Sequence, residues 1–116
     1  MRLLAALVIW IVSLSAVAAA ACKHPSESDA VAATTLVQSR LKVSDFSADM
    51  CQVKDYIVLQ WHAGDGYSAG QALTKKNGSS WSIVRMTTGS LKSVTLLESL
   101  GVPAATAAAL ANDIVP

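Results

Sequence analysis

The chain has 116 residues, 53% of them hydrophobic, and carries nine basic and eight acidic side chains for a net charge of +1. A chain of this length holds one small domain with a modest core. It contains no basic stripe and no polybasic cluster, so the composition argues against electrostatic binding to nucleic-acid phosphates or to anionic lipid.

Residues 1–21 have the arrangement of a secretory signal peptide. Arg2 precedes an almost unbroken apolar run at residues 3–17, and four alanines follow at residues 18–21. A membrane anchor is the alternative, but a spanning helix needs about 20 apolar residues. This run reaches that length only when the alanines are counted, and small residues are what signal peptidase requires.

The small residues allow cleavage before Ala21 or before Cys22. Lipidation of Cys22 is a third possibility, although Ala19 stands where lipoprotein signals usually have leucine. Loss of Arg2 leaves eight basic and eight acidic residues. The sequence therefore predicts a formally neutral mature protein, residues 22–116, that is periplasmic or secreted, with no membrane association unless Cys22 is lipidated.

The first element of the mature chain is an amphipathic helix at residues 27–41. Ser26 is suited to the N-cap, and Glu27 and Asp29 place acidic side chains in the first turn. Apolar and small residues then recur at helical spacing along one face: Ala30, Ala33, Thr34, Val37 and Leu41.

Four strands follow the helix. Alternation of apolar side chains predicts them at residues 43–51, 56–61, 70–76 and 81–86, the second being the most hydrophobic. Asn77-Gly78 predicts a type I′ hairpin between the last two strands, because that turn needs positive φ at both central residues.

Two short helices close the chain. Val94, Leu97 and Leu100 form an apolar face that ends at Gly101 as a C-cap. Pro103 suits the first turn of a second helix, which we expect at residues 104–112.

The predicted order is typical of an α+β domain: an N-terminal helix packed on a four-stranded antiparallel meander, with two short C-terminal helices. Its outline is cystatin-like or NTF2-like. We expect the helix on one face of the sheet and a core drawn mainly from Val37, Leu41, Ile57, Leu59, Trp61, Leu73, Trp81 and Ile83. Val84 could replace Ile83 through a one-residue register change.

Cys22 and Cys51 are the two cysteines of the chain, and in an exported protein we expect them to pair. The helix rises about 20 Å from the Cys22 end. The first strand then returns over about 27 Å, which brings Cys51 back near the helix start. Lipidation of Cys22 would compete with this disulfide.

A glycine-rich connection at residues 64–70 joins the second and third strands. It is not the dinucleotide-binding motif, which requires a strand followed by a helix. Beside this connection, His62 and Asp65 are candidates for an acid–base or metal site; the alternative is that His62 is an ordinary surface residue of the loop. The possible binding loop comprises His62, Gly64, Asp65, Gly66 and Tyr67.

The mature terminus is the second candidate site. Cleavage before Cys22 would expose Cys22-Lys23-His24, and an amine with histidine at position three can bind Cu(II) in a square plane of nitrogens. Cleavage before Ala21 would remove that geometry.

The segment from Trp61 to Leu110 resembles a family of small exported bacterial proteins labelled copper uptake system-associated. The shared features are Trp61 before the glycine loop, Gly70-Gln71-Ala72-Leu73, the turn before Trp81, and Gly101-Val102-Pro103 with Ala107 and Leu110. The resemblance implies a shared fold and, through the family label, an indirect connection with copper. Many members carry a cysteine after the fourth strand, where this chain has Arg85-Met86-Thr87-Thr88.

No nucleophile–base, paired-carboxylate or phosphate-loop arrangement is visible in the sequence. We therefore expect a non-catalytic binding or accessory module for an unknown protein or small ligand, without a cofactor. The alternatives are a copper-handling accessory protein and a small enzyme centred on His62 and Asp65.

Overall fold

The computed structural model describes residues 22–64 and 68–113. The predicted signal peptide at residues 1–21 lies outside this part of the chain. The elements, in chain order, are α1 (Glu27–Leu41), β1 (Phe46–Val53), β2 (Tyr56–Ala63), β3 (Ala69–Asn77), β4 (Ser80–Thr87), α2 (Val94–Ser99) and α3 (Ala104–Asp113). The predicted α+β class and order of elements are confirmed.

Helix α1 has the predicted bounds and is capped at both ends. The Ser26 hydroxyl accepts a hydrogen bond from the Asp29 backbone N–H at 3.3 Å, which satisfies one of the free donors of the first turn. At the other end Lys42 adopts the left-handed conformation, with φ 57° and ψ 45°, and its N–H donates to the Gln38 carbonyl. That conformation disfavours a residue with a Cβ atom.

We expect Lys42→Gly to raise the free energy of unfolding by about 1 kcal/mol, because glycine adopts this conformation without a steric penalty. Arg40→Gly, two residues earlier in the last helical turn, is the matched control and should lower stability by about 1 kcal/mol. Urea unfolding of both variants measures the difference. Equal effects of the two glycines would contradict the prediction.

The sheet is an antiparallel meander in which the strands lie in the order β1-β2-β3-β4. The turn between β3 and β4 differs from the predicted one. Asn77 pairs with Ser80, so Gly78 and Ser79 are the central residues. Gly78 has φ 65°, and Ser79 is not among the residues with positive φ. Glycine at the first central position is typical of a type II′ turn, so the type I′ prediction was wrong.

Each face of the sheet packs against different helices. Helix α1 covers one face, where a first cluster contains buried Ala33, Val37, Ile57, Leu59, Trp61 and Ala72. Helices α2 and α3 cover the other face, where a second cluster includes Val53, Tyr56, Val58, Leu73, Leu91, Leu97, Val102, Ala107 and Leu110. Val37, Ile57, Leu59 and Trp61 of the predicted core belong to the first cluster. The other predicted members on this face are only partly buried and pack against it: Leu41, Trp81 and Ile83. Leu73 belongs to the second cluster, because side chains alternate along β3.

A β-bulge in β4 lets Ile83 and Val84 pack on opposite faces of the sheet, so Ile83 keeps its predicted place and Val84 does not replace it. Leu73 pairs with Arg85 and Thr74 with Ile83, which leaves Val84 as the extra residue. Ile83 packs against the α1 cluster and Val84 against the α2–α3 cluster.

Candidate functional site

The N-terminal segment is fastened to strand β1. Cys22 and Cys51 form the predicted disulfide, with their Cα atoms 5.4 Å apart. Beside it, the Lys23 N–H donates to the Gln52 carbonyl at 3.0 Å and the Gln52 N–H donates to the Lys23 carbonyl at 2.6 Å. The disulfide occupies the sulfur that lipidation of Cys22 would need, and a disulfide is typical of a non-cytoplasmic location.

The disulfide and the hydrogen bonds between Lys23 and Gln52 affect the predicted copper site directly. Lys23 and His24 are exposed and line a shallow depression of about 370 Å³ with Gln52 and Lys54. The square plane would use the backbone nitrogens that follow the terminal amine. One of these, the Lys23 nitrogen, already donates its hydrogen to Gln52. A chelate at Cys22-Lys23-His24 would therefore have to break the bridge to β1.

The glycine-rich connection is described only at its two ends. His62 is exposed near the end of β2, and Gly64 lies against the side chain of Asp45. The Ala63 N–H donates to the Ser68 carbonyl at 2.8 Å, which closes the loop. Asp65, Gly66 and Tyr67 lie outside the described residues, so a site that joins them to His62 stays a prediction.

A groove that the sequence did not reveal runs between α1 and strand β4. It consists of two adjoining depressions of about 440 and 580 Å³. Both are lined by Leu36, Ser39 and Trp81. The first also has Ala32, Thr35 and Ser80 on its walls, and the second has Arg40, Lys42, Ser82 and Ile83. We call this surface the α1–β4 groove.

Trp81 is held in this groove from one side. Its indole Nε1–H donates to the Asp29 carboxylate at 3.1 Å. The ammonium group of Lys76 donates to the same carboxylate oxygen at 3.4 Å and lies 5.8 Å from the centre of the Trp81 ring. The first turn of α1 is thereby joined to the β3–β4 hairpin, which fixes the ring's position at the groove.

The Asp29 pKa lies below its ordinary value of 3.8, mainly because the Trp81 indole donates to the carboxylate and secondarily because of Lys76. The ionised carboxylate therefore stabilises the fold at every pH above the unfolded-state pKa. This contribution is lost as the pH falls through the lower folded-state value.

We expect the melting-temperature difference between wild type and Asp29→Asn to be constant above about pH 5 and to shrink as the pH falls below about 4. Thermal unfolding followed by circular dichroism across that range measures it. Asp55→Asn, in the exposed β1–β2 turn, is the control carboxylate. An Asp29→Asn difference that does not change with pH would contradict the assignment.

The groove was missed because its walls are distant in sequence. A partial signal existed: Leu36 and Arg40 lie off the apolar stripe of α1, and the last strand of a meander is always at an edge of the sheet. Within residues 22–64 and 68–113, no group of three or more His, Cys, Asp or Glu side chains is placed to hold a metal ion. No helix in this part of the chain is long and apolar enough to cross a membrane.

Comparison of the chain with protein-family models, with curated proteins and with solved structures gives no significant match. The resemblance to copper uptake system-associated proteins therefore stays a prediction from the sequence.

Proposed function

We propose that the mature chain is an exported, non-catalytic binding module that receives a segment of a partner protein in the α1–β4 groove. The observation that carries this proposal is the continuity of the groove: its two depressions share Leu36, Ser39 and Trp81. Apolar side chains with hydroxyl groups beside them are a common composition for a binding cleft.

Trp81 supports the proposal through its position and its restraint. The residue is only partly buried, and tryptophan and arginine are the residue types that most often dominate binding energy at interfaces. Because Asp29 and Lys76 already orient the ring, a ligand would not have to order it. Pre-organisation of this kind reduces the entropic cost of binding.

Export is supported by two features that are independent of the groove. The leader-like residues 1–21 have the pattern that signal peptidase reads, and the Cys22–Cys51 disulfide is of the kind that persists in oxidising compartments. The proposed location is the periplasm or the extracellular medium.

Selection from a phage-displayed library of random dodecapeptides tests the proposal, with the oxidised mature protein immobilised. Enriched peptides are then synthesised, and their affinities are measured by fluorescence polarisation. Ser39→Trp fills the groove and should weaken binding by at least about tenfold, or 1.4 kcal/mol. Ser28→Trp makes the same change on the same helix outside the groove and should leave the affinity unchanged. Failure to enrich any peptide, or equal effects of the two variants, would overturn the proposal.

Binding of Cu(II) at the mature terminus is the second candidate function. It is favoured by the exposure of Lys23 and His24 beside the disulfide and by the family that the sequence resembles. The Lys23–Gln52 bridge opposes it, because that bridge consumes the Lys23 N–H.

We expect protein that begins at Cys22 to bind Cu(II) about tenfold more weakly than its Cys22→Ser/Cys51→Ser variant. The reason is that the disulfide keeps Lys23 beside Gln52 in the intact protein. The chelate therefore costs that protein about one net hydrogen bond, whereas in the variant the same bond already opens more often. Titration followed by the visible absorption of square-planar Cu(II) measures both affinities. His24→Ala should abolish that absorption, and tight binding by His24→Ala would exclude the chelate.

A further inference from the structure

We infer that the segment received by the α1–β4 groove is an extended acidic peptide that pairs with β4 as a fifth strand of the sheet. This inference rests on the proposed function and adds to it the chemistry and the conformation of the partner. Strand addition to an exposed sheet edge is a recurring mode of peptide recognition, in which backbone hydrogen bonds supply affinity and alternate side chains supply specificity.

Strand β4 is an edge strand whose outer side has no backbone partner among the described residues. The two-residue turn makes Asn77 and Ser80 the hydrogen-bonded pair that closes the hairpin. Hydrogen-bonded and non-hydrogen-bonded pairs alternate along an antiparallel ladder. The backbone N–H and C=O groups of Trp81 and Ile83 therefore point away from β3, toward an incoming strand.

The opposite edge of the sheet is already partly occupied. Strand β1 pairs with Lys23 through the bridge at Gln52, and the neighbouring disulfide holds that segment in place. Covering an edge with another segment of the chain is one way in which proteins protect it from further pairing. Because part of the β1 edge is already paired, an added strand should pair with β4.

The bulge limits the length of the pairing. The register shift at Val84 interrupts regular alternation, so the regular edge of β4 runs from Ser80 to Ile83. An added strand can therefore pair with only two outward-facing residues, Trp81 and Ile83. Two positions of the peptide, separated by one residue, should supply the backbone hydrogen bonds.

The positive charge of the groove favours a peptide with acidic side chains. Its charged lining residues are Arg40 and Lys42, both basic and both exposed, and they lie beside Ser82 and Ile83 near the middle of β4. An acidic peptide along β4 would meet them with opposite charge. A second copy of this chain, paired with β4 about a two-fold axis, would instead bring two such basic pairs together, which is unfavourable.

The test uses a peptide enriched in the library selection, synthesised with a single N-methyl group at each position in turn. N-methylation removes one backbone N–H. We expect a loss of at least about tenfold in affinity at two positions separated by one residue, and less than about threefold elsewhere. Even sensitivity along the peptide, or tolerance at every position, would overturn strand addition.

Charge is tested with a matched pair of double variants. Arg40→Gln/Lys42→Gln should weaken binding by about three- to tenfold at low ionic strength, and the loss should diminish at high salt. Lys54→Gln/Lys92→Gln removes the same charge elsewhere, and Lys54 shares the positive φ of Lys42, so this control should bind like wild type. Enriched peptides without an excess of Asp and Glu, or equal effects of the two variants, would overturn the acidic partner.

Failure of the inference is distinguishable from failure of the proposed function. Peptides that are sensitive to Ser39→Trp but that fail the N-methyl or charge tests leave a binding groove without strand addition or without acidic preference. If no peptide is enriched, both the proposed function and the inference are wrong. Sedimentation of the protein alone completes the test, because a dimer that Ser39→Trp disrupts would assign the groove to a second copy and overturn the inference.

Discussion

Replacing both cysteines, as Cys22→Ser/Cys51→Ser, is expected to lower the free energy of unfolding by about 3–4 kcal/mol. The disulfide joins residues 29 positions apart, and closing a loop of that length restricts the unfolded chain substantially. A loss of this size is a large part of the total stability of a small domain. Urea unfolding of the oxidised wild type and the double variant measures the difference.

In the same variant, the pairing between the N-terminal segment and β1 should protect backbone amides from hydrogen exchange less well. Without the disulfide, no covalent link supports the two hydrogen bonds that Lys23 and Gln52 exchange. We therefore expect faster backbone hydrogen exchange at Lys23 and Gln52. Intact mass provides the control for the wild type: iodoacetamide should add no group without reductant and two groups after reduction. A stability loss below about 1 kcal/mol would contradict the assigned role.

The elements of this fold were predictable because their signals are local. Helix α1 has a serine cap, acidic residues in the first turn and a regular apolar stripe, and its predicted bounds match the structure. The strands alternate between apolar and polar residues near the predicted positions. The turn was misplaced by one residue because Asn77-Gly78 also fits a hairpin in which Asn77 is the last strand residue.

The distribution of the core was harder to predict, because it depends on where α2 and α3 pack. The sequence assigned one helix to one face and left the C-terminal helices unplaced. A signal was nevertheless present in β2, where Tyr56 and Val58 are apolar on the face opposite Ile57 and Leu59. A strand buried on both faces reads as a continuous apolar run, and residues 56–59 are all buried.

The candidate site was predictable only in part. The disulfide was found because two cysteines in an exported chain leave a single pairing. The Lys23–Gln52 bridge has no sequence signature, and the α1–β4 groove has only the partial one of Leu36 and Arg40 lying off the apolar stripe, since each depends on tertiary contacts between distant residues. The tether of Trp81 to Asp29 likewise joins residues 52 positions apart, and Asp29 reads locally as an ordinary acidic residue of a first helical turn.

A large loss of stability is also expected from a truncation in the α2–α3 cluster: Leu97→Ala should lower the free energy of unfolding by about 2–5 kcal/mol. Leu97 lies on α2, is fully buried and belongs to the cluster on the face opposite α1. Truncating it removes buried apolar surface and leaves a cavity that the surrounding side chains of β2, β3 and α3 only partly fill. Urea unfolding measures the effect.

Val94→Ala on the same helix is the matched control. Val94 is 37% exposed, and a surface truncation of this kind should change stability by less than about 0.5 kcal/mol. Leu59→Ala, in the α1 cluster, should cost about as much as Leu97→Ala, because both leucines are fully buried. A sheet with a single core on the α1 side would give a different result: Leu97→Ala would then resemble Val94→Ala, and only Leu59→Ala would destabilise the protein. Comparable losses from Leu59→Ala and Leu97→Ala, with a small loss from Val94→Ala, are the result that two separate cores require.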